Sequence, residues 1–130
     1  MILLTIRTDK PEAEVGLFDG RTKLEYETWH AHRELSVTLH KKIEDILARN
    51  GRTIEDIQGI IGFAGPGSFT GLRIGLTVVN TLAYGLYVPV VAAKGDDWIQ
   101  KGAGRLLAGE QDAIALPEYG APVHITQPRK

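Results

Sequence analysis

The residue types best able to do chemistry in this chain are gathered in one run, Gly65-Pro66-Gly67-Ser68-Phe69-Thr70-Gly71-Leu72-Arg73-Ile74-Gly75. Gly65 and Gly67 flank Pro66 directly after an apolar stretch, where the backbone must turn sharply and can come close to a ligand. Ser68 or Thr70 can cap a following helix by accepting hydrogen bonds from its free N–H groups. Such a helix start attracts phosphate, so Gly67, Ser68, Phe69 and Thr70 are candidate nucleotide or anion contacts. The run lacks the Lys-Ser/Thr ending of a Walker loop, and its glycines do not fit the dinucleotide fingerprint. A structural tight turn therefore stands beside the phosphate cradle as a reading of the same residues.

Gly71 and Gly75 lie one helical turn apart, and Val79 and Ala83 continue their stripe. A glycine inside a helix costs about 1 kcal/mol relative to alanine, so two at this spacing imply that close packing offers compensation. Either another helix from outside or the chain's own sheet can occupy that face. Arg73, between the two glycines, is expected at the surface, able to meet a partner carboxylate.

Other chemistries find less support. His30 and His32 are two residues apart and His40 lies eight beyond His32, which is not the one-turn spacing of a helical metal motif. Surface or capping roles are expected for them, and no metal site. Asp9, Glu14 and Asp19 fall at turns or strand ends, whereas a nuclease needs carboxylates converging on the sheet. Ser68 sits between Gly67 and Phe69, outside the Gly-x-Ser-x-Gly pattern of a hydrolase nucleophile. The chain has no cysteine, which removes thiol nucleophiles, thiolate metal sites and disulfides. Its net charge of -1 supplies no basic field for a nucleic-acid backbone, so contact with RNA is expected only through a partner. No leader or membrane span is expected, and the cytoplasm is the expected compartment.

The elements that must position these residues follow from periodicity. Ile2 to Thr8 reads as a buried strand, Val15 to Phe18 as a second, and Asp19-Gly20 as a hairpin turn. Lys23 to Trp29 alternates as a third strand. Leu35, Leu39, Ile43, Ile46 and Leu47 then take helical spacing, ended by Asn50-Gly51. Thr53 and Asp56 can cap a short turn. Ile57 to Phe63 is the fourth strand, Thr70 to Leu86 the second helix, and Tyr87 to Ala93 the fifth strand. A short helix is expected from Asp96 towards Leu107, and Val123-His124-Ile125 is a candidate closing strand. Trp29 and Trp98 are expected to be packing residues. The order predicts an α/β fold with a mixed five-stranded sheet: an antiparallel meander, plus two right-handed crossovers adding parallel strands beside the first. That is the ribonuclease-H-like layout of actin-like ATPase lobes, with residues 1–99 as the lobe and 100–130 as a short extension.

The glycine run closely resembles the signature of the bacterial TsaB/YeaZ family. His32-Arg33-Glu34-Leu35 with Ile43-Glu44-Asp45-Ile46-Leu47, Ile54-Glu55-Asp56-Ile57 and Pro89-Val90-Val91 are similar to that family's flanking segments, so the resemblance covers roughly Ile2 to Ile99. It implies a non-catalytic scaffold subunit with no catalytic residues. Such a subunit pairs with a homologous actin-like catalytic subunit that transfers threonylcarbamoyl to an adenosine of tRNA, and an ATPase subunit joins the complex. It implies no tightly bound cofactor, with ATP only at an interface of the complex, and tRNA reached only through the complex. Pairing through first-lobe helices puts Leu35, Leu39, Gly71, Leu72, Arg73, Gly75, Leu76 and Val79 at the contact, with a homodimer as the arrangement when the partner is absent. Arg7 stands near where the family's first strand usually carries an acidic residue. Gly120-Ala121-Pro122-Val123-His124-Ile125 is similar to the family's closing strand, so a shortened variant is expected. The alternatives are a small stand-alone nucleotide-binding enzyme and a self-associating module of the same fold.

Overall fold

Three antiparallel strands open the chain: β1 (Ile2–Arg7), β2 (Glu12–Asp19) and β3 (Thr22–His30). The structure is a computed structural model that describes residues 1–31 and 35–117, with Phe69 described by its backbone alone. Gly20 turns β2 into β3 with φ 61°, the left-handed geometry that the Asp-Gly pair predicts. Next come α1 (Leu35–Arg49), a 3-10 turn (Ile54–Asp56), β4 (Gly59–Gly65), α2 (Phe69–Leu86), β5 (Val90–Lys94) and α3 (Trp98–Leu107). The sheet order is β3-β2-β1-β4-β5. β4 lies parallel to β1 and β5 parallel to β4, so the meander with two added crossover strands is the architecture observed.

Alternation along the strands sorts the apolar residues into two cores. Leu4, Ile6, Val15, Leu17 and Ile60 pack under α1 and α2, against Leu39, Ile43, Ile46, Leu47, Leu76 and Val79. On the opposite face Leu3, Phe18, Ile61, Phe63 and Val91 pack with Trp98, Ala103 and Leu106 of α3. The Phe63 and Trp98 rings meet edge-on, 5.4 Å between centroids. Each fully buried side chain of this size contributes about 1.5–3 kcal/mol. A one-residue slip of β1 would turn its row to the wrong layer, so this patterning fixes the register.

Ion pairs fasten α1 to β3. Arg49 reaches Glu25 at 2.6 Å and Glu27 at 2.7 Å, and Lys42 reaches Glu27 at 2.6 Å. The hydrogen bond from Arg49 holds the Glu25 carboxyl below its usual range. At Glu27 burial pushes the carboxyl up, but Lys42 and Arg49 together outweigh it and the net shift is down.

Several element boundaries differ from the sequence-based expectation; β2, for one, begins at Glu12 and not at Val15. Tyr87 does not begin the fifth strand: it closes α2 in a left-handed conformation (φ 58°, ψ 45°), its N–H directed at the Ala83 and Tyr84 carbonyls. The strand therefore starts at Val90. The fourth strand runs Gly59–Gly65 rather than from Ile57, because Ile57 closes the preceding turn with its N–H on the Ile54 carbonyl. α3 runs from Trp98 past Ile99 to Leu107 and packs on β4 and β5. The candidate closing strand at Val123–Ile125 lies outside the described residues, as do His32, Arg33 and Glu34.

Candidate partner-binding face

The glycine run folds as a turn into α2, and its polar atoms are used within the chain. Gly65 takes φ 119°, a conformation that residues with a side chain rarely adopt. Ser68 is the N-cap: its Oγ accepts the Gly71 N–H at 3.1 Å, while its carbonyl accepts the Leu72 N–H at 3.0 Å. The end of β1 then fits into the glycine stripe. Thr8 Oγ1 donates to the Gly71 carbonyl at 2.6 Å. A Cβ on Gly71 would strike the Thr8 carbonyl, and one on Gly75 would strike Thr8 Oγ1. The close approach predicted for these glycines is therefore made by the chain's own first strand.

Next to the loop, Arg7 pairs with Asp9 at 2.7 Å, and its guanidinium lies 3.8 Å over the Phe63 ring. The side chain of Asp9 abuts Gly67, where an added Cβ would come within 2.5 Å of Asp9 Cβ. A phosphate at Gly67 would thus meet a carboxylate, and the Ser68 hydroxyl is already engaged as a cap. Thr70 is exposed at the start of α2. Across the same sheet face the Tyr26 hydroxyl donates to Glu14 at 2.5 Å. Burial first, then Glu14, holds that phenol well above its ordinary range.

The expected contact residues divide under this geometry. Leu39, Leu72, Gly75, Leu76 and Val79 are buried in the chain's own interior, because they form the side of each helix that faces the sheet. They lie beneath the outer surface of the two helices. Arg73 is exposed, as expected, while Leu35 and Gly71 are half-buried. The surface above them is a groove of about 350 Å³ between α1 and α2, lined by Ser36, Thr70, Arg73, Ile74, Thr77 and Val78. Val37, which follows Ser36 in α1, is 66% exposed.

Ser36, Val37, Ile74 and Thr77 escaped the reading of the sequence, which followed the glycine stripe. The signal was present on the opposite side of the same helix: Arg73 is the only charged residue of α2. A helix with one face on the core ordinarily carries charges on the other. Here the outer side offers hydroxyls, methyl groups and a half-buried isoleucine, which shed water at little cost.

His30 and His40 are exposed. Among the described residues, no three histidine, aspartate or glutamate side chains come together as a metal site would need. No helix among them is long and apolar enough to cross a membrane.

The meander with two crossovers, helices on both faces and a glycine turn after β4 define a lobe of the ribonuclease-H-like and actin-like ATPase type. At the level of fold alone, Thermus thermophilus RuvC is similar: TM-score 0.55 at 15% identity, covering 87% of this chain and 82% of that one. A family profile described as "TsaD: tRNA N6-adenosine threonylcarbamoyltransferase" matches residues 29–94. The Escherichia coli "tRNA threonylcarbamoyladenosine biosynthesis protein TsaB" is 34% identical over 116 residues, 83% of this chain and 49% of that protein. YeaZ from Pseudomonas aeruginosa superposes with a TM-score of 0.65 at 30% identity, covering 72% of this chain and 43% of that one. The chain belongs to the TsaB/YeaZ family. It spans about half the length of the curated relatives it matches.

Proposed function

We propose that this chain is a non-catalytic partner subunit in the formation of N6-threonylcarbamoyladenosine on tRNA. In this reading it pairs through the outer face of α1 and α2 with a homologous actin-like catalytic subunit and raises that subunit's transfer activity. The observation that carries it is the nearly uncharged outer side of α2 above the groove at Ser36, Ile74 and Thr77. The names of the relatives supply the pathway.

Interface cores are depleted of charge, and a lone arginine is a favoured anchor within them. A helix of the partner, laid into the α1/α2 groove with a carboxylate near Arg73, satisfies both conditions. The chain's formal charge of -1 leaves tRNA binding to the assembled complex, and the ATPase subunit joins that complex. Nucleotide enters only at an interface of the assembly, since the loop at Gly67 to Thr70 is occupied by its own cap and faced by Asp9.

The test is co-elution of the chain with the catalytic subunit, followed by a transfer assay on unmodified tRNA. A stoichiometric complex with raised transfer is the expected result. Separate elution, under conditions that preserve other heterodimers of this size, would overturn the reading. A homodimer through the same face is expected when the catalytic subunit is withheld, and it should dissolve when that subunit is added.

A further inference from the structure

The strand at the far edge of the sheet, β5, has an apolar centre, Val90-Val91-Ala92-Ala93, before Lys94. An edge of this composition is a template for another strand. Three of its edge groups, at Val90 and Ala92, are nevertheless occupied. The Asp112 N–H donates to the Val90 carbonyl at 2.8 Å, and Asp112 Oδ2 accepts the Ala92 N–H at 2.8 Å. The Arg105 guanidinium donates to the Ala92 carbonyl at 3.3 Å and also grips Asp112 Oδ1 at 2.6 Å. Further along, Asn80 of α2 clamps the buried Ala115 from both sides: its Nδ2 donates to the Ala115 carbonyl at 2.9 Å, and its Oδ1 accepts the Ala115 N–H at 2.8 Å.

These contacts are not a strand ladder. One backbone hydrogen bond joins the segment to β5, and the side chains of Asn80, Arg105 and Asp112 do the rest. The segment thus imitates a sixth strand without continuing the sheet. We propose that residues 110–116 are an edge guard, held by those three side chains, that keeps β5 from pairing with β5 of a second copy of this chain.

The edge suits a second copy in particular. An antiparallel pair of β5 strands centred on Ala92 is self-complementary about a two-fold axis. It would set Lys94 of each copy opposite Val90 of the other, so the lysines would not meet and only apolar side chains would lie between them. Peptide groups now satisfied by Asp112 and Arg105 would be satisfied by the other strand.

The test uses the full chain carrying Asn80→Ala and Asp112→Ala, with Val37→Glu added to remove association through the helix face. Amide exchange is followed at low micromolar concentration, and sedimentation over a range of concentrations. The Ala92 amide should exchange more than about tenfold faster while amides of the β1–β4 pair keep their protection. The variant should also self-associate as concentration rises, when Val37→Glu alone does not. Unchanged protection at Ala92 would overturn the proposal. So would uniform acceleration across the sheet, which would make the segment a general stabiliser, or an exposed Ala92 in a chain that stays monodisperse. The single variant Asp112→Asn, which keeps a carbonyl acceptor for the Ala92 N–H, should retain more of that protection than Asp112→Ala.

Discussion

On its inner side α2 sets Gly71, Leu72, Gly75, Leu76 and Val79 against the sheet, while on its outer side Thr70, Arg73, Ile74 and Thr77 border a groove shared with α1. Both sides are poor in charge, and for different reasons. Inside, the glycines exist because Thr8 and the end of β1 occupy the space a Cβ would need. Outside, Arg73 is the one charge of α2, and the pairing proposed above assigns that nearly uncharged side to a partner. A motif's most conspicuous residues can thus serve the fold while the plain residues opposite them border the groove proposed as the contact surface.

Substitutions separate the two sides by the size of their effect. Leu76→Ala removes a buried side chain over β4 and should cost about 2–5 kcal/mol in urea unfolding, with heterodimer affinity unchanged in whatever fraction stays folded. Gly75→Ala places a methyl group on Thr8 and should cost about 1–3 kcal/mol by overpacking. A dissociated but fully stable Gly75→Ala would show that the glycine face is external after all. Ser68→Ala removes the cap of α2 and should cost about 1 kcal/mol. Thr77→Glu, on the outer side, should change stability by no more than about 0.5 kcal/mol. It should nonetheless weaken co-elution with the catalytic subunit, and if pairing survives with unchanged affinity the outer face is not the interface.

Acid provides a further contrast. The carboxyls of Glu25, Glu27 and Asp112 are all held below their usual range, Glu25 and Asp112 chiefly by hydrogen bonds from Arg49 and Arg105. A carboxyl lowered on folding adds stability that is present above its unfolded pKa of about 4 and is lost as pH falls through the folded value. Thermal midpoints should therefore fall between about pH 5 and pH 3. Replacing Arg49 by alanine should shrink the part of that fall due to Glu25 and Glu27, whereas the decrement from Leu76→Ala should stay nearly constant with pH. The pairs are partly exposed, so salt should reduce their contribution.

Much of the fold was legible in the sequence. Alternation in β1 and β3, the Asp-Gly turn, and the helical spacing from Leu35 to Leu47 each specify one element by local periodicity. Where the reading slipped, at Tyr87 and Ile57, a cap or a turn claimed residues whose side chains suit a strand equally well. The face proposed for a partner was less legible, because periodicity shows that a helix has two sides without telling whether its glycine-lined side turns inward.

By itself the sequence determined the order of elements, the glycine turn after an apolar strand and the resemblance that turn carries, since all three depend on neighbours along the chain. Only the tertiary structure decided that Gly71 and Gly75 receive Thr8, that Arg7 and Asp9 stand beside Gly67, and that Asn80, Arg105 and Asp112 close the edge at Ala92. Those contacts join residues distant in sequence. Which side of a helix is free for a partner is settled by what the rest of the chain has already covered.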